Sequence, residues 1–85
     1  MQTQIDLKTP DLISLLDMDD EAFRARFRSS PIRRTKRRGF LRNVCVALGN
    51  SKDPRALPAL QKAARDHEPL VREHAQWAIE ELEAE

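Results

Sequence analysis

Ten basic side chains lie between residues 24 and 52 with no acid among them: Arg24, Arg26, Arg28, Arg33, Arg34, Lys36, Arg37, Arg38, Arg42 and Lys52. The flanks are the reverse. Residues 1–23 hold six acids and one lysine, and residues 53–85 hold eight acids and four bases, so a net charge of +1 conceals a strong segregation. Like charges this dense repel one another unless something negative lies near. Two chemistries would answer them: contact with phosphates, or docking of an acidic protein surface. Eight of the ten are arginine, whose planar fork suits bidentate contact with phosphate or carboxylate better than plain solubility. The bland alternative is a solvated helix face neutralised by the acidic flanks.

The other reactive side chains offer less. The single cysteine, Cys45, sits among Val44, Val46 and Leu48, which predicts a buried structural thiol. One thiol makes no internal disulfide and holds neither a structural zinc nor an iron–sulfur cluster. His67 and His74 are seven residues apart with Pro69 between them, which is not the spacing of a zinc pair. His74 reads as a hydrogen-bonded packing residue. Trp77, the only tryptophan, reads as edge packing or as an interface with a missing domain.

These side chains must be carried by a small helical scaffold. Eighty-five residues allow one domain, which buries only about 60–65% of the surface its unfolded chain exposes. The longest apolar run, Val44 to Leu48, is far short of the roughly 18–20 residues of a membrane span. Met1 is followed by Gln2-Thr3-Gln4, with no apolar segment to act as a secretory signal. The expectation is a soluble, cytoplasmic module that is not a self-contained enzyme.

Helix starts are legible at Thr9-Pro10-Asp11, at Asp19-Asp20-Glu21, at Asp53-Pro54 and at Pro69. Leu12, Leu15 and Leu16 share a face of the first helix, and Phe23 and Phe27 form the stripe of the second, which Ser29-Ser30-Pro31 ends. The central helix begins at Pro31 or at Lys36 with Thr35 as cap. It carries Phe40, Leu41, Val44, Cys45 and Leu48 on one face, and Gly49-Asn50 reads as a left-handed stop. Pro58 predicts a tight or irregular first turn in the fourth helix, whose apolar positions are Leu57, Leu60 and Ala64. The last helix has Val71, Ala75, Ala78, Ile79 and Leu82 on one stripe. Its acidic end, from Glu80 to Glu85, opposes the helix dipole and should fray. No segment alternates with period two. The predicted fold is all-α, with about five short helices.

Leu41-Arg42 and Val71-Arg72 lie 30 apart, and Ala47-Leu48 and Ala78-Ile79 lie 31 apart, the period of a helix–turn–helix solenoid unit. The stretches Leu41 to Asn50, Asp53 to Leu60 and Pro69 to Ile79 resemble HEAT-type repeats. Residues 1–8 are expected as a loose arm, 9–30 as an N-terminal helical cap and 31–85 as a HEAT-like repeat pair. More specifically, Ser30-Pro31-Ile32-Arg33-Arg34, Lys36-Arg37-Arg38-Gly39, Leu41-Arg42-Asn43 and Ala47-Leu48-Gly49-Asn50 resemble the C-terminal region of epoxyqueuosine reductases. Asp20-Glu21-Ala22-Phe23 with Phe27-Arg28 fits the segment entering it, and the similarity runs from about Pro10 to Leu82.

That resemblance implies a parent oxidoreductase that uses cobalamin and two four-iron clusters to reduce epoxyqueuosine to queuosine in the tRNA anticodon loop. The cluster cysteines and the proposed acid lie upstream in that family, so this chain is expected to hold no cofactor, metal or catalytic residue of its own. Its implied partners are tRNA, through the anticodon stem-loop, and the catalytic domain of the parent. Arg33, Arg34, Lys36, Arg37, Arg38 and Arg42 are the expected phosphate contacts. A helix starting near Thr35 would set free N–H groups beside cations that the dipole disfavours unless an anion answers them. With Phe40 on the apolar face and no tyrosine, base stacking from this cluster is not expected. The alternative is a HEAT-type interaction or capping module that docks an acidic partner through the same arginines.

Overall fold

Helix capping and apolar spacing organise the chain from its first described turn. The computed structural model describes residues 9–32 and 36–84; the expected arm over residues 1–8 lies outside them. The first helix, α1 (Thr9–Leu16), opens at Thr9-Pro10 and buries Leu15 and Leu16, with Leu12 packed beside them. Asp19 caps α2 (Asp20–Arg26) by accepting a hydrogen bond from the Ala22 N–H at 2.8 Å. This helix stops at Arg26, before the Ser29 stop, because Phe27 leaves helical geometry to pack inward. Phe23, Phe27 and Phe40 form a triangle of tilted rings with centroids 5.0–5.7 Å apart.

The central helix, α3 (Lys36–Ser51), is the shorter of the two versions considered. Lys36 has φ of 67°, so regular helical geometry begins at Arg37; Thr35, the expected cap, is outside the described residues. Leu41, Val44, Cys45 and Leu48 fall at the spacing of one buried stripe. A single 3-10 turn (Pro54–Ala56) then leads into α4 (Leu57–Ala63), the tight entry that Pro58 predicts. Finally α5 (Pro69–Glu83) buries Val71, Ala75, Ala78 and Ile79 against α3. Among the described residues there are five α-helices and no strand.

The α3–α5 contact is the most extensive in the molecule. Arg37 meets Asp66, Arg38 meets Glu68, Gly49 meets Ala78 and Lys52 meets Glu81. This near-constant offset of about 30 residues means that the sequence from α3 to α5 is a structural repeat and that the two helices run side by side in one direction. Meanwhile α1 closes the other side of α3 and touches α4.

Two expectations change here. Gly49 does not end α3; it is buried within it, and no glycine has positive φ. A Cβ at Gly49 would lie 2.7 Å from Cζ3 of Trp77 and 3.1 Å from both Cα and Cβ of Ala78. The glycine is therefore a point of close helix approach, and the left-handed residue after the helix is Lys52, with φ of 59°. The same lysine answers the acidic end of α5: its Nζ donates to the Glu81 carbonyl at 3.3 Å and lies 3.4 Å from the Glu81 carboxylate. The last helix thus keeps its form to Glu83 despite the acids.

Candidate nucleic-acid interface

Among the described residues, the basic cluster does not form one surface. Arg33 and Arg34 fall outside the described residues. Arg37 points inward and is only 8% exposed. Its Nε donates to the Met18 carbonyl at 2.8 Å, Nη1 donates to Asp66 Oδ2 at 3.1 Å and Nη2 donates to Asp66 Oδ1. This fork binds α3 to the α1–α2 turn and to the α4–α5 loop at once. Its bonds run to a carboxylate and to a backbone carbonyl, so it is a structural tie. Arg37 is thereby removed from the expected phosphate contacts. The spacing carried the signal, since Arg37 precedes Leu41 by four residues and falls on the apolar stripe of α3.

The electrostatics follow from that geometry. The hydrogen bonds from Arg37 hold the Asp66 carboxyl below the ordinary carboxylate range, and the Asp66 bonds hold Arg37 above its ordinary value against the opposing effect of burial. Asp66 also accepts from the Glu68 N–H at 3.0 Å. Part of the anion expected at the start of α3 therefore comes from the protein itself.

What stays outside is smaller and better defined. Arg38 is 53% exposed, with Glu68 Oε1 at 3.9 Å, a loose surface contact of little worth. Arg42 is exposed and donates to Asn43 Oδ1, at 3.2 and 3.3 Å, rather than to an acid inside the stack. Lys36 is exposed at the head of the same helix. Arg38 and Arg42, four residues apart, form one row on the outer face of α3. Arg24 on α2 and Arg28 in the turn after it are exposed as well, while Arg26 lies over the Phe27 ring with Cζ at 5.8 Å from its centroid.

Two of the remaining candidates, Cys45 and His74, settle into structural roles. Burial pushes the Cys45 thiol up to about 12, with Asp66 adding to the effect, so it stays an unreactive thiol in the core. His74 Nδ1 lies 2.9 Å from the Leu70 carbonyl; a carbonyl only accepts, so Nδ1 carries the hydrogen. Trp77 stands at the edge of the α3–α5 pair, 37% exposed. A groove between α1 and α4 has Arg37 and Asp66 in its wall, and Lys62 pairs with Asp17 at its edge. Two of the bases in its wall, Arg37 and Lys62, thus face carboxylates of the protein itself. No three metal-ligating side chains meet among the described residues, and a four-iron cluster asks for several thiolates where this chain has one, buried. Neither cluster fits here.

The HEAT repeats family profile matches residues 32–85, well over half the chain. The chain belongs to the HEAT-repeat family. Within it, the sequence is similar to part of several epoxyqueuosine reductases. It is 40% identical to that of Xanthomonas campestris pv. campestris over 75 residues, covering 87% of this chain and 21% of the relative. It is 37% identical to that of Lactococcus garvieae over 84 residues, covering 98% and 24%. It is 42% identical to that of Escherichia coli over 74 residues, covering 86% and 19%. This HEAT-repeat chain thus spans about a fifth to a quarter of the length of the curated relatives it matches, in their C-terminal part, and the resemblance read from the sequence holds. No solved structure matches it. No helix among the described residues is long and apolar enough to cross a membrane.

Proposed function

We propose that this HEAT-repeat chain is a non-catalytic, cytoplasmic domain of an epoxyqueuosine reductase-like protein, and that it holds tRNA by its backbone so that a separate catalytic part can receive the modified base. The oxidoreductase chemistry, with its cobalamin and iron–sulfur clusters, belongs in this reading to that other part. The observation that carries the reading is the exposed row of Arg38 and Arg42 on α3, with Lys36 at the head of the helix, in a stretch without any acid. Arg42 is engaged by a neutral amide, and Arg38 by a loose carboxylate contact alone among the described ion pairs. Phosphates complete such a row and fix register without reading sequence.

The test is binding of a fluorescently labelled anticodon stem-loop, followed by anisotropy, for the wild-type chain and for the double reversal R38E/R42E. The reversal should weaken binding by a similar factor for stems of different sequence. Unchanged binding in a folded R38E/R42E variant would refute the tRNA role and leave the row to an acidic protein partner.

A further inference from the structure

The row of Arg38 and Arg42 continues, four residues on, to Val46, about 6 Å further along the helix axis. Val46 lines a shallow hollow with Glu73, His74 and Trp77 of α5. Trp77 is the one large hydrophobic side chain exposed among the described residues. One edge of its ring packs against the α3 backbone at Gly49, where a Cβ would stand 2.7 Å from Cζ3. His74 beside it is held by its bond to the Leu70 carbonyl. A partly exposed indole already packed along one edge has less freedom to lose when something stacks on it.

Resting on the tRNA role proposed above, we infer that this hollow receives an unpaired nucleobase of the RNA strand whose phosphates meet Arg38 and Arg42, stacked on Trp77. The chemistry of the lining favours a base over an apolar protein anchor. Val46 is its only aliphatic member, whereas the indole offers a flat π-surface and Glu73 offers a carboxylate that accepts from base amino groups. Glu73 also repels phosphate, which places the backbone toward the arginines and the base toward the ring. One nucleotide, with its phosphate at one end and its base at the other, spans the step from Arg42 to Val46.

Trp77 is the only tryptophan in the chain, so its emission reports this hollow alone. The 85-residue chain is titrated at low salt with a short single-stranded oligocytidylate and, separately, with inorganic polyphosphate of similar charge. The oligonucleotide is expected to bind and quench Trp77, and the polyphosphate to bind without quenching. Trp77→Leu is expected to weaken oligocytidylate binding about tenfold or more while leaving polyphosphate binding unchanged. Trp77→Phe, which keeps a ring, should restore most of the affinity and guards against a loss that comes only from misfolding. If both ligands bind and Trp77 is not quenched, or if folded Trp77→Leu binds oligocytidylate as well as wild type, this inference is overturned. The phosphate contacts then stand and the hollow falls to a protein contact. If neither ligand binds, the stacking site and the phosphate row fail together.

Discussion

Truncating Arg37 should cost this small domain a large share of its stability without touching its outer surface. Arg37→Met keeps much of the apolar stem but removes three hydrogen bonds, one to the Met18 carbonyl and two to Asp66. It leaves the Asp66 carboxylate, 12% exposed, without its guanidinium but still accepting from the Glu68 N–H. Breaking a buried ion pair from one side costs about 3–5 kcal/mol. The retained Glu68 bond and the residual access of water to Asp66 place this case at the lower end, about 3 kcal/mol. An 85-residue domain has about 4–13 kcal/mol in all. At about 4–8 °C per kcal/mol, the melting temperature should fall by at least about 12 °C. Removing both partners in R37M/D66N should recover part of that loss, since no unpaired charge is left inside. Thermal unfolding followed by circular dichroism reads all three proteins. An R37M melting temperature within about 2 °C of wild type would refute the structural role and return Arg37 to the surface cluster.

Three further outcomes follow from the same packing. Because Arg37 holds the Asp66 carboxyl low, the native state binds fewer protons than the unfolded one as pH drops toward the ordinary carboxylate range. The pair's contribution is therefore whole above about pH 4–5 and is lost as pH falls through the depressed native value. Urea titrations across pH 2–6 should show a steeper acid loss for wild type than for Asp66→Asn; equal slopes would contradict the pair. Gly49→Ala should destabilise by about 1–3 kcal/mol although alanine is the better helix former, because the Ala78 backbone, unlike the Trp77 ring, cannot swing away from the new methyl; a rise in melting temperature would show that α5 yields. Cys45, with its thiol pushed up to about 12, should resist a thiol reagent at pH 8 in the folded protein and react fully in denaturant; rapid labelling of the native chain would place it at the surface.

The local features of the fold were legible because they rest on local chemistry. Pro10, Asp19, Pro54 and Pro69 start helices for reasons held within one turn, and Pro58 forces the tight entry to α4 wherever the rest of the chain lies. Gly49 was misread because Gly-Asn after an apolar run is the usual end of a helix, whereas here the glycine answers a helix that arrives from 29 residues away. Arg37 and Arg38 are neighbours in sequence but lie about 100° apart around α3, and which one is buried depends on where the α4–α5 loop delivers Asp66 and Glu68. The stripe through Leu41 pointed to Arg37; the identity of its partner was not local. Nor was the pairing of Trp77 with Val46, since it depends on α3 and α5 lying side by side.

The salt dependence of RNA binding tests the central claim most directly. Anisotropy of a labelled anticodon stem-loop is measured from about 50 to 200 mM salt, and the logarithm of the binding constant is plotted against the logarithm of salt concentration. With Lys36, Arg38 and Arg42 on phosphates, the slope should lie near −2 to −3, at roughly −0.9 per duplex phosphate neutralised. In R38E/R42E it should become distinctly shallower. No binding at the lowest salt by a folded chain, or a slope that the double reversal leaves unchanged, would contradict the account.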